Sequence, residues 1–213
     1  MRSLINTKTG LLFLTLISYG RSDEGAIASQ LVECANSNYE SCEKVVDYFI
    51  AEEEFSSLAI ASDFLCVSKD YKRPLDRVFY CHIAGSIYAY DQKNTKKAVS
   101  RLRVSCAVKD SVSNLVLKQF YASACVLVAA LENNKDRVEA AISANEKSCT
   151  DSYCLYNVAF ALALSGEFER AIDYIDATIK AGNRSKKELQ YFGQFPEIKR
   201  SLRFQNMVQM YTR

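Results

Sequence analysis

The chain has a single histidine, His82, and it stands beside Cys81. Imidazole and thiolate can form a nucleophile and its base, but catalysis also needs a group to orient the base and a frame that exposes the nucleophile. No recognisable nucleophile motif surrounds His82, so it reads as a structural residue. The eight cysteines could be ligands instead. Their only close pair, Cys149 and Cys154, is separated by four residues, and no His or second pair nearby completes a tetrahedral zinc set. A redox Cys-x-x-Cys is absent. Gly85-Ser86 lacks the Gly-rich frame and the Lys of a phosphate loop. No metal, no cofactor and no catalytic constellation is therefore expected.

Two charged clusters remain. Glu52, Glu53 and Glu54 could pass for acid/base carboxylates, but they read more simply as the solvated end of a helix. Lys93, Lys96, Lys97, Arg101 and Arg103 surround a turn and enter a helix, where a solvated face is expected and an anionic surface is the functional alternative. With 27 basic against 25 acidic residues, a net charge of +2 does not advertise nucleic acid as a partner.

The elements that position these residues follow from composition. The 213 residues are 49% hydrophobic and 11% aromatic, with seven Gly and two Pro. That is enough chain for one compact domain or a short repeat array, and too apolar for disorder. Few turn residues argue against a β-sandwich or barrel. Apolar residues at three- and four-residue steps point to helices.

Residues 1–20 have the layout of a secretory signal peptide. Arg2 and Lys8 lead, Leu11–Ile17 form a short apolar run, and Ser18 and Gly20 precede a cut before Arg21. A second cut could follow Ala26-Ile27-Ala28, and a buried N-terminal helix is the structural alternative. The apolar run is well short of the ~20 residues a membrane-spanning helix needs. Removing the segment leaves 25 basic and 25 acidic residues. The expectation is an exported chain, periplasmic or secreted, with no integral membrane segment after maturation.

The clearest internal unit is Ser152 to Lys180, two amphipathic stretches meeting at Ser165-Gly166. Asn157, Ala159, Gly166, Phe168 and Ala171 carry its pattern: small residues where two helices approach, and Gly at the turn. In this it resembles the tetratricopeptide repeat family. With Ser152 as position 1, three upstream units starting at Glu40, Phe79 and Ala122 fit the same frame. Position 20 is then Ala59, Ala98, Ala141 and Ala171, and position 8 is Asp47, Ser86, Ala129 and Ala159. The starts are 39, 43 and 30 residues apart.

The cysteines obey this frame. Cys42, Cys81 and Cys154 fall at position 3 and Cys125 at position 4, whereas Cys66 falls at 27 and Cys106 and Cys149 at 28. Cys34 belongs to a helix before the first unit. Eight cysteines alone allow about a hundred pairings. The repeat frame sets the second helix of each unit beside the first helix of the next, which implies Cys34–Cys42, Cys66–Cys81, Cys106–Cys125 and Cys149–Cys154. Such bonds belong to an oxidising compartment. The pattern is also similar to the cysteine-rich, secreted Sel-like repeat proteins, whose disulfides staple adjacent hairpins.

After the last hairpin, Gly182, Leu189, Phe192, Phe195-Pro196, Ile198 and Arg203-Phe204 resemble the end-of-group segment that caps tetratricopeptide arrays, with Tyr191 and Gln194 where that segment carries Asp. The fold expected is an all-α solenoid of about four hairpins (near 40–67, 79–107, 122–149 and 152–180) in a single domain over 21–213, with an N-terminal helix and a cap at 181–213.

The resemblance also implies a site. The inner face of the first helices lines a concave groove, and in this chain those positions hold Lys44, Tyr48, Tyr80, Ile83, Ile87, Tyr90, Tyr153, Tyr156 and Phe160. Aromatics there would anchor a protein or peptide ligand, or would simply pack between hairpins. A non-enzymatic binding scaffold is the leading expectation. The alternatives are an accessory enzyme or chaperone of the cell envelope, and a secreted effector contacting an anionic surface.

Overall fold

A computed structural model describes residues 24–35, 38–52, 54–67, 74–91, 94–145, 149–182 and 186–210. The expected signal peptide, its cut site and the side chains of Glu53 and Lys93 lie outside them. Among the described residues all regular structure is helical. The α-helices are α1 (Glu24–Ala35), α2 (Tyr39–Ala51), α3 (Phe55–Val67), α4 (Pro74–Asp91), α5 (Thr95–Val108), α6 (Leu115–Leu131), α7 (Lys135–Asn145), α8 (Ser152–Leu164), α9 (Phe168–Lys180), α10 (Lys186–Gln190), α11 (Pro196–Arg200) and α12 (Leu202–Met210). Two 3-10 turns, Lys109–Ser111 and Tyr191–Gln194, complete the order.

Local chemistry accounts for the helix ends. Asn38, Asn114 and Asp151 precede α2, α6 and α8, and their side chains accept from Ser41 N at 3.3 Å, Leu117 N at 3.1 Å and Cys154 N at 3.0 Å. Gly166, at φ +81°, turns α8 into α9, while Asn133 at φ +54° turns α6 into α7. Both occupy the left-handed region, where Gly is unstrained and Asn is the side chain best tolerated. Helices α4 and α6 begin earlier than the repeat starts at Phe79 and Ala122, because Pro74 suits a first helical position and Asn114 supplies a cap.

The chain divides into two compact units, the first ending at Ile87 and the second starting at Tyr88. In the second unit one apolar core runs from Ala89 to Met207. In the first unit α1 packs on α2 and α2 on α3, burying Val45, Val46, Phe49, Leu58 and Leu65. In the second, α5 packs on α6, α6 on both α7 and α8, and α8 on α9, while α9 meets α11 and α12. Packing thus follows chain order within each unit. The fold class is all-α, of the helical-repeat kind found in α-solenoids.

Small residues allow the close approach. Ala59, Ala98, Ala129, Ala159 and Ala171 are each at most 2% exposed. The four disulfides join Cys34 to Cys42, Cys66 to Cys81, Cys106 to Cys125 and Cys149 to Cys154, the pairs that the repeat frame implies. All eight cysteines are thereby used. Four closed bonds fit a protein of an oxidising, non-cytoplasmic compartment. No described helix is long and apolar enough to cross a membrane.

Candidate binding surface

The nine expected groove residues divide by accessibility. In the first unit Lys44 is exposed and Tyr48 half-buried, one turn apart on α2. Tyr80, Ile83 and Ile87 of α4 are buried, and the Tyr80 hydroxyl donates to Glu43 Oε1 at 3.2 Å. In the second unit Tyr153 is half-buried, its ring 5.0 Å from that of Phe120. Tyr90, Tyr156 and Phe160 are buried, at 6%, 1% and 0% exposure. Six of the nine are therefore buried in this structure.

What covers the second-unit face is the chain's own C-terminal segment. Phe192 lies 5.1 Å from Tyr156 and 5.5 Å from Phe160, ring centre to ring centre. Phe195 lies 5.4 Å from Phe160, and Tyr191 lies 5.8 Å from Tyr90. Edge and tilted arrangements at these separations add attraction to simple burial. Two polar side chains orient the segment. The Tyr156 hydroxyl donates to the Glu188 carbonyl at 2.7 Å, and Gln194 Nε2 donates to the Tyr90 carbonyl at 2.8 Å and to that of Tyr191 at 2.6 Å.

Beneath the rings runs a buried polar chain. The Tyr90 hydroxyl donates to Asn157 Oδ1, Asn157 Nδ2 donates to Ser123 Oγ at 2.7 Å, and the Ser123 hydroxyl donates to the Phe120 carbonyl at 2.7 Å. Each donor finds an acceptor, as burial in a low-dielectric core demands. Asn157 is thus an organiser of α4, α6 and α8. Gln194 was missed as a contact residue. Its only sequence signal was a departure from the cap pattern.

The groups with chemical potential are each accounted for locally. His82 is 0% exposed within α4, and burial pushes its pKa down to about 3, so the imidazole is neutral. Glu52 and Glu54 are half-buried at the turn between α2 and α3. In the basic stretch, Lys97 stands 4.9 Å over the Tyr88 ring and Arg103 pairs with Glu132. Arg103 first, with Arg137 at 2.7 Å, holds the Glu132 carboxyl below its usual range. Arg103 is therefore part of an ion-pair network with Glu132 and Arg137. Among the described residues no group of three or more His, Cys, Asp or Glu side chains is placed to hold a metal ion.

No family model, no curated protein and no solved structure matches the chain.

Proposed function

We propose that the protein is an exported, non-enzymatic scaffold that binds a protein or peptide through the side-chain surface of tetratricopeptide-like hairpins, in the periplasm or outside the cell. One observation carries this reading. The aromatic wall of Tyr90, Tyr156 and Phe160 already receives a peptide segment, residues 188–195 of the same chain, through ring contacts and hydrogen bonds that involve main-chain carbonyls. Buried aromatic side chains are common anchors in interfaces that hold peptides. The disulfides and the signal-like residues 1–20 support export. Burial of His82 weighs against an enzyme.

The test is site-specific photo-crosslinking in the exporting cell, with the probe at Lys44, Tyr48 or Tyr153, the accessible members of the expected site. Arg137 on α7 serves as control. The expected result is an adduct of discrete mass from the site positions and none from the control. Identical adducts at every position, or a turnover abolished by His82→Gln, would overturn the reading.

A further inference from the structure

We infer that the C-terminal cap is an internal occupant of the aromatic face in the second unit, which opens to a partner segment of the same chemistry when the cap leaves. The inference rests on the peptide-receiving reading just proposed and adds its regulation and its ligand class.

The first ground is the asymmetry of the covalent staples. The last disulfide ends at Cys154, so no cross-link ties α9 or the cap to the chain before it. The wall is held differently. Cys106–Cys125 ties α5 to α6, and Cys149–Cys154 pins the start of α8. The cap can therefore leave without breaking a covalent bond.

The second ground is the cap's own slightness. Helices α10 and α11 have five residues each, with a four-residue 3-10 turn between them. Elements this short have no stability of their own in water. Their order comes from Phe192, Leu189 and Ile198, which are buried at 0%, 1% and 0% exposure against the hairpins. Beyond them α12 buries Phe204 and Met207 in the core, and its exposed pairs of Arg203 with Asp173 and Asp176 are contacts that salt weakens.

The occupant also specifies the partner. It places two adjacent aromatics, Tyr191 and Phe192, and a third, Phe195, four positions after the first, before Pro196 ends the turn. A carbonyl three residues ahead of Tyr191, that of Glu188, takes the Tyr156 hydrogen bond. The partner is a protein segment with an aromatic–aromatic–x–x–aromatic pattern on a tight helical turn. With the face occupied, its apparent affinity is reduced by the fraction of molecules whose cap is open.

Two measurements on the full, disulfide-bonded chain test this. Hydrogen exchange should show amides of Leu189–Phe204 exchanging at least about tenfold faster than those of α8, through local opening of the cap. A fluorescent synthetic peptide of residues 186–200 should bind Phe195→Ala at least about tenfold more tightly than the native chain. The same peptide with Ala for Tyr191, Phe192 and Phe195 should not bind. Gln194→Ala, which removes an exposed side chain and its bond to the Tyr90 carbonyl, replaces Phe195→Ala if that variant lacks native near-ultraviolet dichroism. Cap amides that exchange only with global unfolding would overturn this inference and leave the scaffold reading standing on its accessible residues. A cap that opens locally while the variant binds no peptide would overturn both.

Discussion

The Tyr156 hydroxyl hydrogen-bonds the main-chain carbonyl of Glu188 at 2.7 Å, joining a first-helix residue of the last hairpin to a cap residue 32 positions later. The ring beneath that hydroxyl is 1% exposed and packs against Phe192. Tyr156 is thus a strut between hairpin and cap in the closed structure. Tyr156→Phe keeps the ring and loses the bond, and should cost about 1 kcal/mol in denaturant unfolding. Tyr156→Ala also opens a cavity and should cost about 3–5 kcal/mol, a loss that any binding assay must separate from lost contact.

Tyr90 and Asn157 are coupled through a buried hydrogen bond. Tyr90→Phe removes the donor and leaves the Asn157 oxygen short of a partner inside the core, so stability should fall by about 1–3 kcal/mol. Asn157→Ala should fall in the same range. Because both act on one network, the double variant should lose less than the sum of the two, and a double-mutant cycle by urea denaturation reads that difference.

The disulfides should contribute unequally. Cys66–Cys81 spans 15 residues and Cys149–Cys154 spans 5. In the chain-entropy account a 15-residue loop is worth about 3 kcal/mol and a shorter one less. Paired Cys→Ser substitutions should therefore lower the midpoint more for the first bond than for the second. Equal losses would show that neighbouring-hairpin packing, and not loop closure, sets their value.

His82 should make the fold acid-sensitive. Burial lowers its pKa from 6.5 to about 3. Below pH 6.5 the unfolded chain takes up a proton that the folded chain refuses until near pH 3. The contribution is complete above pH 6.5 and is lost as pH falls, by about 1.4 kcal/mol per pH unit at most. His82→Gln should remove that part of the slope between pH 6.5 and 4, measured as unfolding free energy against pH. A variant with the native slope would show that carboxylates alone govern the acid response.

Much of the fold was legible because the repeat leaves local marks. Ala at position 20, Gly166 at a turn and Cys at matched positions are each demanded by hairpin geometry, and each can be read without knowing the rest of the chain. The starts of α4 and α6 were less legible, because Pro74 and Asn114 set them ahead of the expected repeat starts. The division between Ile87 and Tyr88 left no mark, since it falls inside a continuous helix. The site was legible as a set of aromatic positions but not as a surface. Whether Tyr90, Tyr156 and Phe160 meet water depends on where Phe192 and Phe195 come to rest, some thirty to a hundred residues later in the chain.

The sequence by itself determined the all-α hairpins and the cysteine partners, because helical periodicity, turn residues and bonds between successive helices are short-range relations along the chain. Tertiary structure alone decided that the aromatic face is covered. Aromatic side chains suit a binding groove and a core equally, since the hydrophobic effect responds to the area removed from water and not to what removes it. Here Tyr191, Phe192 and Phe195 supply that cover, and only their position in space distinguishes a buried wall from an open one.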